Sequence, residues 1–258
     1  MDVSMTLTPV RWSKRLKGKS CPQLIQFSDG LRYIVKFKNN PQGTKQLGND
    51  YIASRLAQYL SLPVPECTQI AIDQPFIDKI PEWENYQFSP GVQFASLYIK
   101  KAKKIRKHFP PVTSVVNADV LPGIIVFDHW LSNDDRNRNN LLLERQEPDL
   151  YRVVMIDHGN CFPGGIKWTL DSLEGQPNPI KLRPVHKWIL SMMEDSNKLF
   201  EFIYAVQRLP VNLLYETIQS LPDDWNISTY EKEALLIHLL RGRQVLEDLV
   251  YKAVKYYF

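Results

Sequence analysis

Two apolar runs of strand length, Leu141–Leu143 and Tyr151–Ile156, flank the polar stretch Glu144-Arg145-Gln146-Glu147-Pro148-Asp149. Short apolar runs bounded by turn residues read as strands, and two in succession across a polar turn read as a hairpin. A hairpin brings its outer ends together. Here those ends carry Asn140, which opens the first strand, and Asp157, which closes the second. A carboxylate at the end of an apolar strand gains nothing from burial unless something pairs with it. Two oxygen ligands at one end of a ladder suit a Mg²⁺ that keeps some of its waters. The competing reading of Asp157 is a turn starter ahead of Gly159.

The hairpin is entered through Asn133-Asp134-Asp135-Arg136-Asn137-Arg138-Asn139-Asn140. Asp134 and Asp135 each have an Asn five positions on, Asn139 and Asn140, so spacing leaves the register open. Asn140 abuts the strand, which favours Asp135 with Asn140; Asp134 stays as the alternative. A carboxylate, an Asn five residues later and a second carboxylate closing the returning strand match the needs of phosphoryl transfer. The first carboxylate, Asp135, orients the attacking hydroxyl and accepts its proton; Asn140 and Asp157 hold Mg²⁺ against nucleotide phosphates. Taken alone, the loop also reads as an Asn-rich surface turn.

The N-terminal part is strand-rich. Gln23–Phe27 and Arg32–Phe37 are β-prone runs joined by Ser28-Asp29-Gly30, a hairpin signal. Helical spacing predicts a helix from about Leu47 to Leu60, ended by Pro63 and Pro65, and Cys67–Ile72 returns as a strand. Pro75–Tyr98 mixes aromatics with Pro and Gly and shows no clear period; Tyr98–Lys107 reads as helical or irregular. Pro110-Pro111 is the predicted boundary between an N-lobe (1–109) and a C-lobe (110–258). Beyond it, Leu121–Leu131 is an apolar helix with Pro122 in its first turn. Short helices follow at Lys187–Met193, Lys198–Arg208 and Leu213–Leu221. One long helix is predicted behind the capping box Ser228-Thr229-Tyr230-Glu231, with Leu235, Leu236, Leu239, Leu240, Leu246, Leu249 and Val250 as its core stripe.

Three further features bear on anion binding. Lys36 lies in an alternating strand, where Ile34, Lys36 and Lys38 share one face. It either meets phosphate or carboxylate, or faces solvent. Asp50, early in the following helix, either pairs with Lys36 or serves as a first-turn acid. Gly18-Lys19-Ser20, before the first hairpin, offers backbone amides and charge to a phosphate, although the spaced glycines of a Walker loop are missing. The basic run Lys100-Lys101-Ala102-Lys103-Lys104-Ile105-Arg106-Lys107-His108 reads as a solvated face or connector, or as a docking patch for an acidic or nucleic-acid-bound partner. His129 and His158 read as packing or hydrogen-bonding residues.

Composition narrows the classes. At 258 residues and 44% hydrophobic, the chain can bury a substantial core. No apolar run approaches the ~20 residues that cross a bilayer, and Met1-Asp2-Val3-Ser4 lacks a secretory layout. Cys21, Cys67 and Cys161 are widely spaced and odd in number, which supports neither a zinc site nor a disulfide framework and predicts a cytoplasmic setting. A net charge of +4 suits anionic ligands without arguing for nucleic acid.

The combination resembles the HipA-like kinase family. The resemblance rests on Gly18-Lys19-Ser20, Tyr33-Ile34-Val35-Lys36-Phe37, Asn49-Asp50-Tyr51 with Arg55-Leu56-Ala57, and Leu62-Pro63-Val64-Pro65. It continues through Asp128-His129-Trp130-Leu131, Asn133-Asp134-Asp135-Arg136 and Asp157-His158-Gly159, spanning about residues 10 to 165. Asp135-Arg136 and Ile156-Asp157 are also similar to type II phosphatidylinositol 4-kinases. The resemblance implies an α+β, two-lobed protein-kinase-like fold with a small β-rich N-lobe and a mostly helical C-lobe. It implies ATP and Mg²⁺ as cofactors, with Lys36 on the ATP phosphates, Asp135 as base, and Asn140 and Asp157 on the metal. The expected acceptor is a protein Ser/Thr hydroxyl, with autophosphorylation included; small-molecule or lipid phosphorylation, a non-catalytic pseudokinase role and a metal-dependent phosphohydrolase are the rivals. Asp50 stands where the family commonly carries Glu. The chain is also short for the extra N-terminal subdomain of toxin-type members, so a toxin–antitoxin pairing is not implied.

Overall fold

The computed structural model describes residues 7–81, 83–105 and 108–257. Asp29 and Gly30 reverse the chain between β2 (Gln23–Phe27) and β3 (Arg32–Lys36). Gly30 supplies the positive φ of +79° that the turn requires. The Asp29 carboxylate closes the turn by accepting from Leu31 N (2.8 Å) and from the Tyr33 hydroxyl (2.7 Å). β1 (Pro9–Arg15) pairs antiparallel with β2. After α1 (Thr44–Tyr59) come β4 (Cys67–Ile72), the one-turn helices α2 (Gln74–Ile77) and α3 (Trp83–Tyr86), and β5 (Gly91–Leu97). The five strands form one antiparallel sheet in the order β1-β2-β3-β5-β4. Its inner face buries Ile25, Phe27, Val35, Phe37, Ile70 and Phe88, with the Phe37 and Phe88 rings stacked 4.1 Å apart.

β6 (Ala102–Lys104) leaves that lobe and pairs with β7 (Leu141–Glu147), which forms the predicted hairpin with β8 (Leu150–Met155). Helices make up most of the remainder: α4 (Pro122–Trp130), α5 (Leu170–Glu174), α6 (Pro184–Leu190), α7 (Asn197–Gln207), α8 (Val211–Gln219), α9 (Thr229–Gln244) and α10 (Leu246–Val254). α4 is buried along its whole length, because Ile124, Ile125, Val126 and Phe127 leave no polar face to turn to water. α6, α7, α9 and α10 pack around it. The result is the expected two-lobed α+β kinase-like architecture.

Several elements differ from the sequence reading. α1 starts at Thr44, one turn before Leu47, because Gly43 (φ +80°) begins the helix; Asp50 therefore sits in the second turn and is not a dipole-stabilising first-turn acid. β5 emerges from Pro75–Tyr98 and buries the polar Gln93, whose amide donates to Ser89 O and Gly91 O and accepts from Lys38 N. β1 is an exposed edge strand whose alternation is too weak to read. The basic run contributes a strand, β6, and not a helix; Arg106 and Lys107 lie outside the described residues. The polar turn shrinks to Pro148-Asp149, the helix predicted at Lys187–Met193 runs instead from Pro184 to Leu190, and the long C-terminal helix breaks at Val245 into α9 and α10. The capping box is formed: Ser228 Oγ accepts from Glu231 N (3.3 Å), and Glu231 Oε2 accepts from Ser228 N (2.9 Å). Glu231 also pairs with Lys45 of α1 at 2.8 Å, which ties the first helix to the helical lobe.

Candidate active site

Because Val35 and its alternates fill the face of β3 that packs within the N-lobe cluster, Lys36 points from the opposite face inward toward α1. It is 7% exposed. Its ammonium donates to Asp50 Oδ2 at 2.7 Å and to Asp157 Oδ1 at 2.8 Å. Burial opposes the charge on Lys36, but the Asp157 and Asp50 carboxylates outweigh it and hold its pKa above the usual lysine value. Burial pushes the Asp50 carboxyl up to about 6 against the pull of Lys36 and of the His158 N–H, which donates to Asp50 Oδ1 at 2.8 Å. The Asp157 side chain is half exposed, and the Lys36 charge holds its pKa below the ordinary carboxylate range. Asp157 has φ +59°, a conformation costly for a residue with a Cβ and typical of places where the chain is held for a purpose.

The loop after α4 is built around a second carboxylate. Asp135 is enclosed by amides: Asn137 Nδ2 donates to its Oδ1 (3.1 Å) and its carbonyl (3.0 Å), Asn160 Nδ2 to its Oδ2 (3.1 Å), and Asn140 Nδ2 to its carbonyl (2.7 Å). Asp134 is exposed and turns away to Arg183, whose Nε donates to the Asp134 carbonyl at 2.5 Å. Asn139 is also exposed, so the Asp134–Asn139 pairing has no counterpart to the contact between Asp135 and Asn140.

Hairpin register places Asn140 beside Asp157. Leu141 pairs with Met155, and Ile156 N donates to Asn140 O at 3.0 Å, one residue short of Asp157. With its Nδ2 given to Asp135, Asn140 has its Oδ1 as the remaining side-chain acceptor. Among the described residues no group of three or more His, Cys, Asp or Glu is placed to hold a metal. An amide oxygen and one carboxylate, both hard donors, therefore fit Mg²⁺ shared with phosphates and water and do not fit an all-protein cage. The register Gln23↔Val35 puts the β1–β2 turn, with Gly18, Lys19 and Ser20, at the Lys36 end of the sheet. Gly18 and Lys19 are exposed, whereas Ser20 is buried.

Two parts of the arrangement escaped the sequence reading. Arg136 is fully buried and makes a two-pronged pair with Asp128 of α4, its Nε and Nη2 each 2.9 Å from a carboxylate oxygen. The same guanidinium donates to Asn140 O (3.4 Å), to Ile156 O (3.2 Å) and toward His158 Nδ1 (3.1 Å). It thereby ties the loop to the end of the hairpin. Asp128 also meets His186 Nε2 at 3.0 Å and accepts from Asn133 at 2.8 Å, and its carboxyl lies well below the usual range despite burial because of Arg136 and His186. Its signal was available: Asp128 is the one carboxylate in the apolar helix 121–131. The second part is Asn49, whose amide donates to Gly159 O (2.7 Å), Cys161 O (3.0 Å) and Gly165 O (3.2 Å) while accepting from Trp168 Nε1 (2.9 Å). It pins the segment after Asp157 to α1.

His129 and His158 are buried structural groups. Burial holds His129 neutral, with its pKa down to about 4; burial and the neighbouring Arg136 take His158 down to about 3. A histidine with a depressed folded-state pKa contributes stability that is complete above its unfolded value near 6.5 and is lost as pH falls toward the folded value. For His129 the full loss between pH 7 and pH 4 is roughly 3 kcal/mol. The urea midpoint is expected to drop across that window, and His129→Gln to show a shallower drop. Parallel pH profiles for the two proteins would contradict this.

The model of the HipA-like kinase family matches residues 12–252. No curated protein matches the sequence significantly. Among solved structures, the Helicobacter pylori proinflammatory kinase CtkA superposes with a TM-score of 0.62 at 15% identity, covering 96% of each chain. The Golgi casein kinase, in its complex with Mn and ADP, superposes with a TM-score of 0.54 at 11% identity over 97% of this chain and 75% of its own. The HipA of the Shewanella oneidensis MR-1 HipA, HipB and operator DNA complex gives 0.50 at 11% identity, over 98% and 75%. At these identities the structures establish a shared fold, and the match over nearly the whole length establishes the lineage. The chain belongs to the HipA-like kinase family.

Proposed function

We propose that the protein is an ATP- and Mg²⁺-dependent kinase that transfers the γ-phosphoryl group to a protein Ser or Thr hydroxyl. The observation that carries the reading is the junction at the end of the β7–β8 hairpin. There Asn140, hydrogen-bonded to Asp135, lies beside the Ile156–Asp157 segment, and Asp157 is joined to Lys36. Donor and acceptor halves of a phosphoryl transfer then meet in one place.

Each residue has a task in that reading. Lys36, kept charged by Asp50, binds the ATP phosphates, and the Gly18–Ser20 turn lies over them. Asp135, with its carboxylate orientation fixed by Asn137 and Asn160, aligns the acceptor hydroxyl and takes its proton as the oxygen attacks phosphorus. Asn140 and Asp157 would hold Mg²⁺, which supplies neutralisation of phosphate charge. The complex of the Golgi casein kinase with Mn and ADP supports nucleotide and divalent-metal use, and that protein's name supports a protein acceptor.

Thermal shift tests the donor half. ATP with Mg²⁺ is expected to raise the melting temperature of the wild type, and Asp157→Asn to lose most of that rise. Equal shifts in both proteins, or none in either, would refute the metal assignment. Mass spectrometry after incubation with ATP tests the acceptor half: phosphate on Ser or Thr supports transfer, and free phosphate on an unmodified protein points to hydrolysis.

A further inference from the structure

Beside the loop that carries Asp135 lies a cleft of about 800 Å³ whose charge is all of one sign. Lys103, Lys104 and Arg138 line it together with Asn137, Asn139 and Pro184. None of its described lining residues is a carboxylate, and none is Lys36, Asp50, Asn140 or Asp157. The cations are held in place by packing: Lys103 sits 5.1 Å from the centre of the Tyr151 ring, and Arg138 sits 5.0 Å from that of Phe109. Their backbone is fixed as well, because Lys103 and Lys104 pair in register with Leu143 and Leu142.

We propose that this cleft is the acceptor-docking site and that it takes an acidic peptide segment flanking the Ser or Thr hydroxyl. The proposal rests on the kinase reading above and names its substrate class. Asn137 supplies the connection: it lines the cleft and donates to Asp135, so a chain lying in the cleft passes the base. Like-signed charges gathered in a concavity raise the local concentration of an oppositely charged ligand. The residues that serve the nucleotide phosphates lie outside the cleft; Lys104 adds charge toward Asp157, and Lys103 and Arg138 are left for the acceptor. A second cleft, of about 760 Å³, reaches Asp135 through Asn160, but it mixes Asp134 and Asp171 with Lys181 and so selects no sign of charge. Nucleic acid is the weaker fit, because none of the described lining residues of the first cleft is an aromatic ring on which a base could stack.

Fluorescence anisotropy on the full chain tests the proposal without requiring turnover. The probes are fluorescein-labelled peptides with one Ser flanked by Glu, the same peptide with Gln in place of Glu, and an oligothymidine of matched charge. The Glu peptide is expected to bind about tenfold tighter than the Gln peptide, and the variant Lys103→Glu to lose most of that preference. The variant's thermal shift with ATP and Mg²⁺ is expected to match that of the wild type. Equal affinity for the two peptides, an unchanged preference in the variant, or tighter binding of the oligothymidine than of the Glu peptide would overturn the acceptor class. Absence of an ATP·Mg²⁺ shift in the wild type would instead overturn the kinase reading.

Discussion

Asp135→Asn is expected to lower the rate of phosphoryl transfer by about 10²- to 10⁴-fold while leaving the thermal shift with ATP and Mg²⁺ in place. The substitution keeps the size of the side chain. It also keeps one side-chain oxygen, which retains one of the two amide bonds from Asn137 and Asn160, and the loop stays tied through the Asp135 carbonyl, which accepts from Asn137 and Asn140. What disappears is the ability to accept a proton from the attacking hydroxyl. Single-turnover labelling with radioactive ATP is the measurement, and Asp134→Asn is the control. Asp134 makes its ion pair with Arg183 at the surface, at 3.8 Å, so its loss is expected to change the rate less than twofold. A large loss in the control with a small one in Asp135→Asn would transfer the base to Asp134.

Arg136→Met is expected to be the most destabilising change near the site, at about 3–5 kcal/mol. Arg136 and Asp128 are both fully buried, and the guanidinium bridges α4, the loop carbonyl of Asn140 and the hairpin carbonyl of Ile156. Removing it takes the guanidinium from a buried carboxylate left with His186 and Asn133, leaves Asn140 O with the Ile156 N–H alone, and costs Ile156 O its guanidinium donor. Urea denaturation at pH 7 measures the loss, and the melting temperature should fall by roughly 10 °C. The double variant Arg136→Met/Asp128→Leu is expected to recover part of the stability, since it removes the orphaned charge along with its partner. A loss below about 1 kcal/mol for the single variant, the size of an exposed pair, would show that this network does not anchor the loop.

Elements with a strong local signal were readable from the residues. Asp29-Gly30 marks the β2–β3 turn because it combines a residue that tolerates positive φ with a side chain that bonds its own backbone. α4 and the α9 capping box were readable for the same kind of reason: their apolar or capping pattern is complete within a few residues. β6 shows the opposite case. Ala-Lys-Lys has no strand pattern, and it is extended because β7 offers it hydrogen bonds. β5 was hidden because its buried Gln93 reads as a surface residue until Ser89, Gly91 and Lys38 are seen to satisfy it.

The candidate site divides along the same line. Spacing and period alone determined that Asn140 and Asp157 end adjacent strands, and that Asp135 and Asn140 stand five residues apart in the loop that enters them. Only the tertiary structure decided that Lys36 faces inward, that Asp134 turns to Arg183, and that Arg136 holds the loop against the hairpin. The partners explain the difference. Lys36 meets Asp50 across 14 residues and Asp157 across 121, and an ionisable side chain on an alternating strand goes inside only where such partners offset the loss of water. Local periodicity carries no information about a partner that far along the chain.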